Sequence, residues 1–556
     1  MKSARKHLEH AIALNPDFAE AYYKLGLLLK SEGQGAEALE SFRKAVSING
    51  DFAEAQCELA IALAADDERE TARNHFLNAL EINPNYADAY YHYALLLVEL
   101  KDIEEAKNNL EKVTEVDQNY AKAYYQKARL LTNPDDFGEA QKNFETAIDI
   151  QPDFVDAHYY MAKLMAGGVA TNKEGSLVDL TDLALAKENF LQVLKINESH
   201  AKALYNLARI LYEEKNLKET KTRLLKALDI DPEYSKAHFL LANVLCDLGA
   251  PAKAKEHYVA SLKYHKENAP AHFRLGKLLA GEGVAETAED HLRKAVTLDP
   301  EHAHAHYHLA RLLTEIDDAA PAKKHFFRAL EIDPEFALAY YYLAHHLERH
   351  GDFNEAKIYF QKASDADQNF VDAYFNLARI LNLPPEFDQA VRNYETAIEI
   401  DPTHARAHYW FAKLVAGGLR LTSDGTLLEE PDLVTAERHF RKAIEVNPAY
   451  DKAHFRLALL LHGDKRYAEA QKHFLEAIDV NPKYATAHYH LAVLLMDPAA
   501  AESLGASEAK PRSRTPTKPS KPKPRSRTSA KRSTPKTAAV KKKAGSKARP
   551  VARKSK

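Results

Sequence analysis

ALAYYYLAHHLERHGDFNEAKIYFQKASDADQNF, residues 337–370, is the pattern from which most of the chain is copied. Small and apolar residues recur at spacings of three and four on both sides of Gly351-Asp352, which predicts two short amphipathic helices joined by a turn. Ala339 has counterparts in the same local context at Ala21, Ala55, Ala89, Ala123, Ala157, Ala203, Ala237, Ala271, Ala305, Ala373, Ala407, Ala453 and Ala487. Every interval is 34 residues except Ala157 to Ala203 and Ala407 to Ala453, which are both 46. A fixed period of this size marks a solenoid, in which each unit buries its apolar face against its neighbours.

With slot one placed two residues before each marker alanine, slot eight is always Ala or Gly, and slot eleven is Leu except at Met165 and Val415. In the second helix a small residue (Ala38, Ala72, Ala140) is followed four residues on by a large one (Phe42, Phe76, Phe144) and then by another small one. Small against large lets two helices approach closely while the large side chain fills the groove. A Pro closes nine of the fourteen units, where it stops the second helix. Asp17, Asp51, Asn85, Asn119 and Asp153 then stand where the next helix is expected to need a cap.

These residues resemble the tetratricopeptide repeat (TPR) family, a 34-residue helix-turn-helix with small slots eight and twenty, an aromatic at twenty-four and a closing Pro. The resemblance covers residues 1–498 and implies an all-α, right-handed superhelix whose first helices build the concave wall. It gives thirteen complete repeats with a half-repeat at each end, and a family that mostly binds peptides or proteins without chemistry of its own.

The two 46-residue units match each other: Ala166-Gly167-Gly168 with Glu174-Gly175-Ser176-Leu177, against Ala416-Gly417-Gly418 with Asp424-Gly425-Thr426-Leu427. Their markers are 250 residues apart, so seven repeats read as a duplicated block. The inserts, at about 167–178 and 417–428, lie between the two helices of a unit and predict small hairpins. They are either loops carried along by duplication or a paired grip on one ligand.

Slot five is aromatic in every unit except at Cys57, and slot nine, one turn on, is basic through the middle of the chain. The pairs are Tyr125 with Arg129, Tyr159 with Lys163, Tyr205 with Arg209, Phe273 with Lys277, Tyr307 with Arg311, Phe375 with Arg379 and Tyr409 with Lys413. An aromatic and a cation four apart on one helix are placed to stack. On the wall that the family implies, they form a ladder suited to an extended ligand carrying carboxylates or phosphates. The competing reading packs slot five between repeats. Two family subtypes do not transfer: slot five never holds the Lys of a carboxylate clamp, and an Asn ladder at slot six reduces to Asn206 and Asn376.

His304 with His308, and His346 with His350, have the i, i+4 spacing of metal ligands. Slot four, however, accepts His or Tyr alike, which asks for a flat amphipathic ring at a helix seam. No metal, cofactor or catalytic motif is expected, and the chain does not read as an enzyme.

Charge divides the chain. The last 47 residues, Lys510–Lys556, hold 19 of the 76 basic residues and no acidic one, so the remaining 57 face 80 acidic residues, a net −23. Beyond an Ala-rich linker from residue 499, which is read as a partial closing helix, this tail is too poor in large apolar residues to order itself. Its composition is similar to the tails of linker-histone-like proteins, which implies phosphate neutralisation without sequence readout. Lys531-Arg532 and Lys541-Lys542-Lys543 resemble a two-part nuclear import signal. The duller alternative lays the tail on the protein's own acidic face.

No apolar run reaches the length of a membrane span, and Cys57 and Cys246 offer no disulfide framework. An intracellular, cytoplasmic place is expected, with nuclear or nucleoid association through the tail. The sequence reading is therefore an adaptor that binds an extended acidic partner segment in its groove. Its alternatives are a nucleic-acid-associated protein acting through the tail, an accessory subunit of an enzyme complex, or a pure scaffold. The complementary half-repeats add head-to-tail self-association as a further expectation.

Overall fold

The computed structural model describes residues 2–167, 169–171, 177–179, 181–381, 386–417 and 432–508. The chain forms two compact units, residues 1–402 and residues 403 onward. The first contains α1 (Lys2–Leu14) and eleven helix pairs, from α2 (Ala19–Ser31) with α3 (Gly35–Ile48) to α22 (Val371–Ile380) with α23 (Phe387–Ile400). The second contains the pairs α24 (Ala405–Ala416) with α25 (Leu433–Val446) and α26 (Asp451–Gly463) with α27 (Tyr467–Val480). They are followed by α28 (Ala485–Met496) and α29 (Pro498–Glu508).

The opening stretch shows why each unit folds. Its first helix, α20 (Ala337–Arg349), buries Ala339, Leu343, Ala344 and Leu347; its second, α21 (Phe353–Ala366), buries Ala356, Phe360 and Ala363. Gly351 turns the chain at φ +88°, a conformation that lacks steric cost only without a Cβ. The Asp352 amide donates to the Leu347 carbonyl at 2.9 Å, closing the helix end. Small slot eight is a packing requirement: a Cβ added at Gly26 would lie 2.5 Å from the Phe42 ring.

The cap expectation needs correction. Asp17, Asp51, Asn85 and Asn119 each donate a backbone amide to an Asn or Asp two residues earlier, as Asp51 does to Asn49 Oδ1 at 3.1 Å. The N-cap itself comes one residue later and holds a ring in most units. Where that ring is His200, His302 or His404, its Nδ1 accepts from the third amide of the helix. The Asx turn has taken over the closing of the loop, and the cap position is given to inter-repeat packing.

In the first insert, β1 (Val169–Thr171) pairs antiparallel with β2 (Leu177–Asp179), Ala170 opposite Val178, the hairpin that the Gly-rich sequence predicts. The insert is closed at its base by the Asp182 amide on the Met165 carbonyl, 2.9 Å. The equivalent bond, Asp432 to Val415 at 3.2 Å, closes the second insert, whose predicted hairpin lies outside the described residues. Past residue 498 the Ala-rich stretch forms α29, which packs on α27 and α28 with Ala500 fully buried. This is the partial closing helix expected of the Ala-rich stretch. The tail positions Lys531, Arg532, Lys541, Lys542 and Lys543 lie outside the described residues.

Candidate functional site

Slot five is where structure and expectation part. Tyr125, Tyr159, Phe273, Tyr307, Phe375 and Tyr409 are buried, Tyr307 with 4% of its surface exposed, and Tyr205 is half-buried. Each of several rings sits about 5 Å from the ring that ends the turn into the next first helix: Tyr125 on Phe154 at 5.1 Å, Tyr205 on Tyr234 at 5.1 Å and Tyr307 on Phe336 at 5.0 Å. Tyr159 on His200, Phe273 on His302 and Tyr409 on Tyr450 repeat this at 4.9, 4.7 and 4.9 Å. Several slot-five rings also approach the slot-twenty-four ring of their own unit, as Tyr125 does Phe144 and Phe375 does Tyr394, both at 6.1 Å. Slot five therefore bolts one repeat to the next, and its rings are a seam instead of a ligand platform. The reason is area: a buried aromatic side chain removes roughly 150–250 Å² from water. Burial also pushes the Tyr125 hydroxyl up to about 12 and those of Tyr205 and Tyr307 upward, which keeps them neutral.

The slot-nine cations do reach solvent. Arg129, Lys163, Arg209 and Lys277 are exposed, and Arg311, Arg379 and Lys413 are partly so. Arg129 and Arg311 stack on the slot-five ring of their own helix, at 5.6 and 5.8 Å. Their nearer partner is a slot-six ring of the following unit, Tyr160 at 4.8 Å and Tyr342 at 4.6 Å. Lys163 also lies over Tyr160, and Lys413 over Trp410 at 4.3 Å. Tyr160, Tyr342 and Trp410 are the rings that sequence reasoning underweighted; the signal was an aromatic at slot six beside or 31 residues after a slot-nine cation. Arg379 differs, because Glu348 holds its guanidinium at 2.7 Å, and Glu315 lies 3.7 Å from Arg311. Among the described residues, Arg129, Lys163, Arg209 and Lys277 have no carboxylate partner.

The electrostatics around Lys277 and Arg311 are positive. Burial, then these two cations, then His304 and His302 hold the His308 imidazole down to about 3, so it is neutral at physiological pH. A cavity of about 650 Å³ opens between Arg311, Glu315, Tyr342, His346, Glu348 and Arg349. In the second unit a cavity of about 620 Å³ is lined by Lys413, Glu437, Phe440 and Arg456 at the base of the second insert.

Ten histidines form a seam of five pairs, as the His-or-Tyr alternation at slot four predicts. Slot four meets a second-helix histidine of its own unit, Nδ1 to Nδ1, in His238–His257 at 2.9 Å, His272–His291 at 2.8 Å and His306–His325 at 2.9 Å. His408–His439 and His454–His473 follow at 2.8 and 3.0 Å in the second unit. In four of these pairs the slot-four Nε2 lies 3.0–3.2 Å from a carbonyl six residues back, so it carries the proton and its Nδ1 is left as an acceptor. Tyr340 stacked on Tyr359 takes the same place in the opening stretch. His304 lies against Phe336, and His346 Nδ1 faces the Thr314 hydroxyl at 3.1 Å. Cys57 and Cys246 are free thiols, and burial pushes Cys57 up to about 12. No helix among the described residues is long and apolar enough to cross a membrane.

Comparison with curated proteins finds no match. Among solved structures, the chain is similar to the APC/C hetero-tetramer Cut9-Hcn1 at 16% identity, covering 87% of this chain and 97% of that one with a TM-score of 0.37. It is similar to yeast Tom70 at 18% identity, 88% and 99% coverage and a TM-score of 0.33. Pseudomonas aeruginosa pilF gives 22% identity, 39% and 98% coverage and a TM-score of 0.35. At such low identities and TM-scores these likenesses say nothing of what this chain binds. Three family profiles, each described as tetratricopeptide repeat, match residues 63–130 and 279–347; 19–52, 121–154, 337–370 and 371–404; and 176–220, 239–303, 435–470 and 463–506. With matching profiles along both units and the helix pairs that the repeat requires, the chain belongs to the tetratricopeptide repeat family.

Proposed function

We propose that this protein is an adaptor that holds an extended acidic segment of a partner protein along its first-helix face. TPR proteins generally mediate protein–protein interaction, and a TPR scaffold is typically non-enzymatic. The observation that favours an acidic partner is the row of slot-nine cations, Arg129, Lys163, Arg209 and Lys277, exposed and without carboxylate partners. Tyr160 stacks on the Arg129 guanidinium and lies under Lys163, which lowers the entropy lost when a ligand carboxylate is bound. Partners with phosphate groups satisfy the same cations, and the salt dependence of binding is common to both.

The basic tail is read as a second, separate contact with nucleic acid, supported by its 19 cations and lack of acidic residues. The test is binding of a fluorescent Glu-rich peptide to a chain ending at residue 508, compared with the variant Arg129→Glu/Arg209→Glu/Lys277→Glu. The expected loss is at least about tenfold, equivalent to ~1.4 kcal/mol. Equal affinity for both chains overturns the groove reading. In parallel, deletion of residues 509–556 is expected to abolish duplex DNA binding and leave peptide binding within twofold.

A further inference from the structure

The fifth histidine pair, in the second unit, is unlike the others. Three residues beyond the second-helix histidine stand Ala260, Lys294, Arg328 and Lys442 in the first four pairs, and Glu476 in the fifth. Glu476 Oε2 lies 3.0 Å from His454 Nδ1 and 2.9 Å from His473 Nδ1, while the two Nδ1 atoms are 3.0 Å apart. Three donor atoms thus form a nearly equilateral triangle. Both imidazoles are buried, with His454 5% and His473 11% exposed at the side chain, and Glu476 opens to solvent at 38%.

Protons alone fill this triangle poorly. In the neutral imidazole, His454 Nε2–H donates to the Pro448 carbonyl at 3.0 Å, which leaves a lone pair on Nδ1. That lone pair faces both a carboxylate and the second imidazole, and the single proton on His473 Nδ1 cannot bridge all three edges. Lys472, 3.8 Å from Glu476 Oε1, touches the far oxygen only. Arg441 is engaged by Glu437 and Glu469, at 2.8 and 2.7 Å.

We infer that His454, His473 and Glu476 form a binding site for a divalent first-row transition metal of the Zn²⁺ type. Zn²⁺ takes imidazole nitrogen and carboxylate oxygen at about 2.0–2.2 Å, and an ion at that distance fits just out of the plane of a triangle this size. The Pro448 carbonyl accepts from His454 Nε2 and so orients the ring to present Nδ1 to the ion. The exposed side of Glu476 leaves room for water as fourth ligand. Such an ion ties α26 to α27, the last complete helix pair, and hard cations such as Mg²⁺ are disfavoured by the two nitrogen donors.

The test is equilibrium dialysis of the full chain against Zn²⁺ in excess Mg²⁺, together with the visible spectrum of the Co²⁺-loaded protein. The expected result is one tight Zn²⁺ per chain and a tetrahedral-type Co²⁺ spectrum. Both are lost in Glu476→Gln and in His473→Asn, with metal-free circular dichroism unchanged. Asn is chosen because Asn189 already takes this place opposite His158, at 2.7 Å. No tight Zn²⁺ in the unsubstituted chain, meaning that a proton alone occupies the triangle, overturns the inference. So does a Zn²⁺ stoichiometry that Glu476→Gln leaves unchanged, because the ion is then held by histidine pairs in general.

Discussion

Four cations of the second helices and four of the first helices face different neighbours. In the first unit Lys187 reaches Glu214 of the next repeat at 2.8 Å, Lys255 reaches Glu282 at 2.6 Å, Lys323 reaches Glu355 at 2.9 Å and Lys357 reaches Glu386 at 2.6 Å. The second unit continues this with Arg441 on Glu469 at 2.7 Å. Arg129, Lys163, Arg209 and Lys277, on first helices, meet rings or solvent. The lesson is that a net charge of −23 over the repeats does not describe either face. One set of cations is spent on neighbouring repeats, and the other is held out.

The largest effect that bears on this contrast concerns what holds the first helices in place. Tyr307→Ala removes a buried ring from between Phe326 and Phe336 and is expected to cost about 3–5 kcal/mol in urea unfolding. Tyr205→Ala, at a half-buried ring, costs less. A loss below about 1 kcal/mol at Tyr307 is incompatible with a slot-five seam.

Next comes pH. Burial, then the partner histidines His272 and His306, hold His291 and His325 down to about 4, against an ordinary value of 6.5. The unfolded chain therefore binds more protons between these values, and stability is complete above about pH 6.5 and lost as pH falls towards 4. A Tm that is level or rising from pH 6.5 down to 4 contradicts the histidine seam.

Smaller still is Lys357→Ala on the second-helix face. The half-buried bridge to Glu386 is expected to contribute about 1 kcal/mol, and peptide binding is expected to be unchanged. At the turns, Lys215 sits at φ +60° where other units have Gly. Lys215→Gly is expected to stabilise the chain by up to about 1 kcal/mol, measured by thermal unfolding.

How much of this was legible in the sequence follows from where the interactions lie. The period, the turn at Gly351 and the insert strands Val169–Thr171 and Leu177–Asp179 depend on local rules, and the sequence carries them in full. Slots five and six are neighbours on one helix, yet a single step of about 100° separates a seam from an exposed face. Deciding between them needed the partner of Tyr307, and that partner, Phe336, is 29 residues away. The aromatic or histidine just before most first helices was the usable signal. The caps misled because Asp51 occupies a turn whose bond is made by its backbone, not its carboxylate. Glu476 was invisible for a third reason: its meaning depends on the register between two helices, which brings His454 and His473 to the same point.

The most direct measurement exchanges the two faces. One chain carries Arg129→Glu, Arg209→Glu and Lys277→Glu; a second carries Lys187→Glu, Lys255→Glu and Lys357→Glu, the same change in net charge. Affinity for one acidic peptide is then measured for both at one salt concentration. First-helix reversal is predicted to weaken binding at least about tenfold, or ~1.4 kcal/mol, and second-helix reversal less than about twofold. Equal losses would show that only total charge matters and would contradict a partner-binding first-helix face.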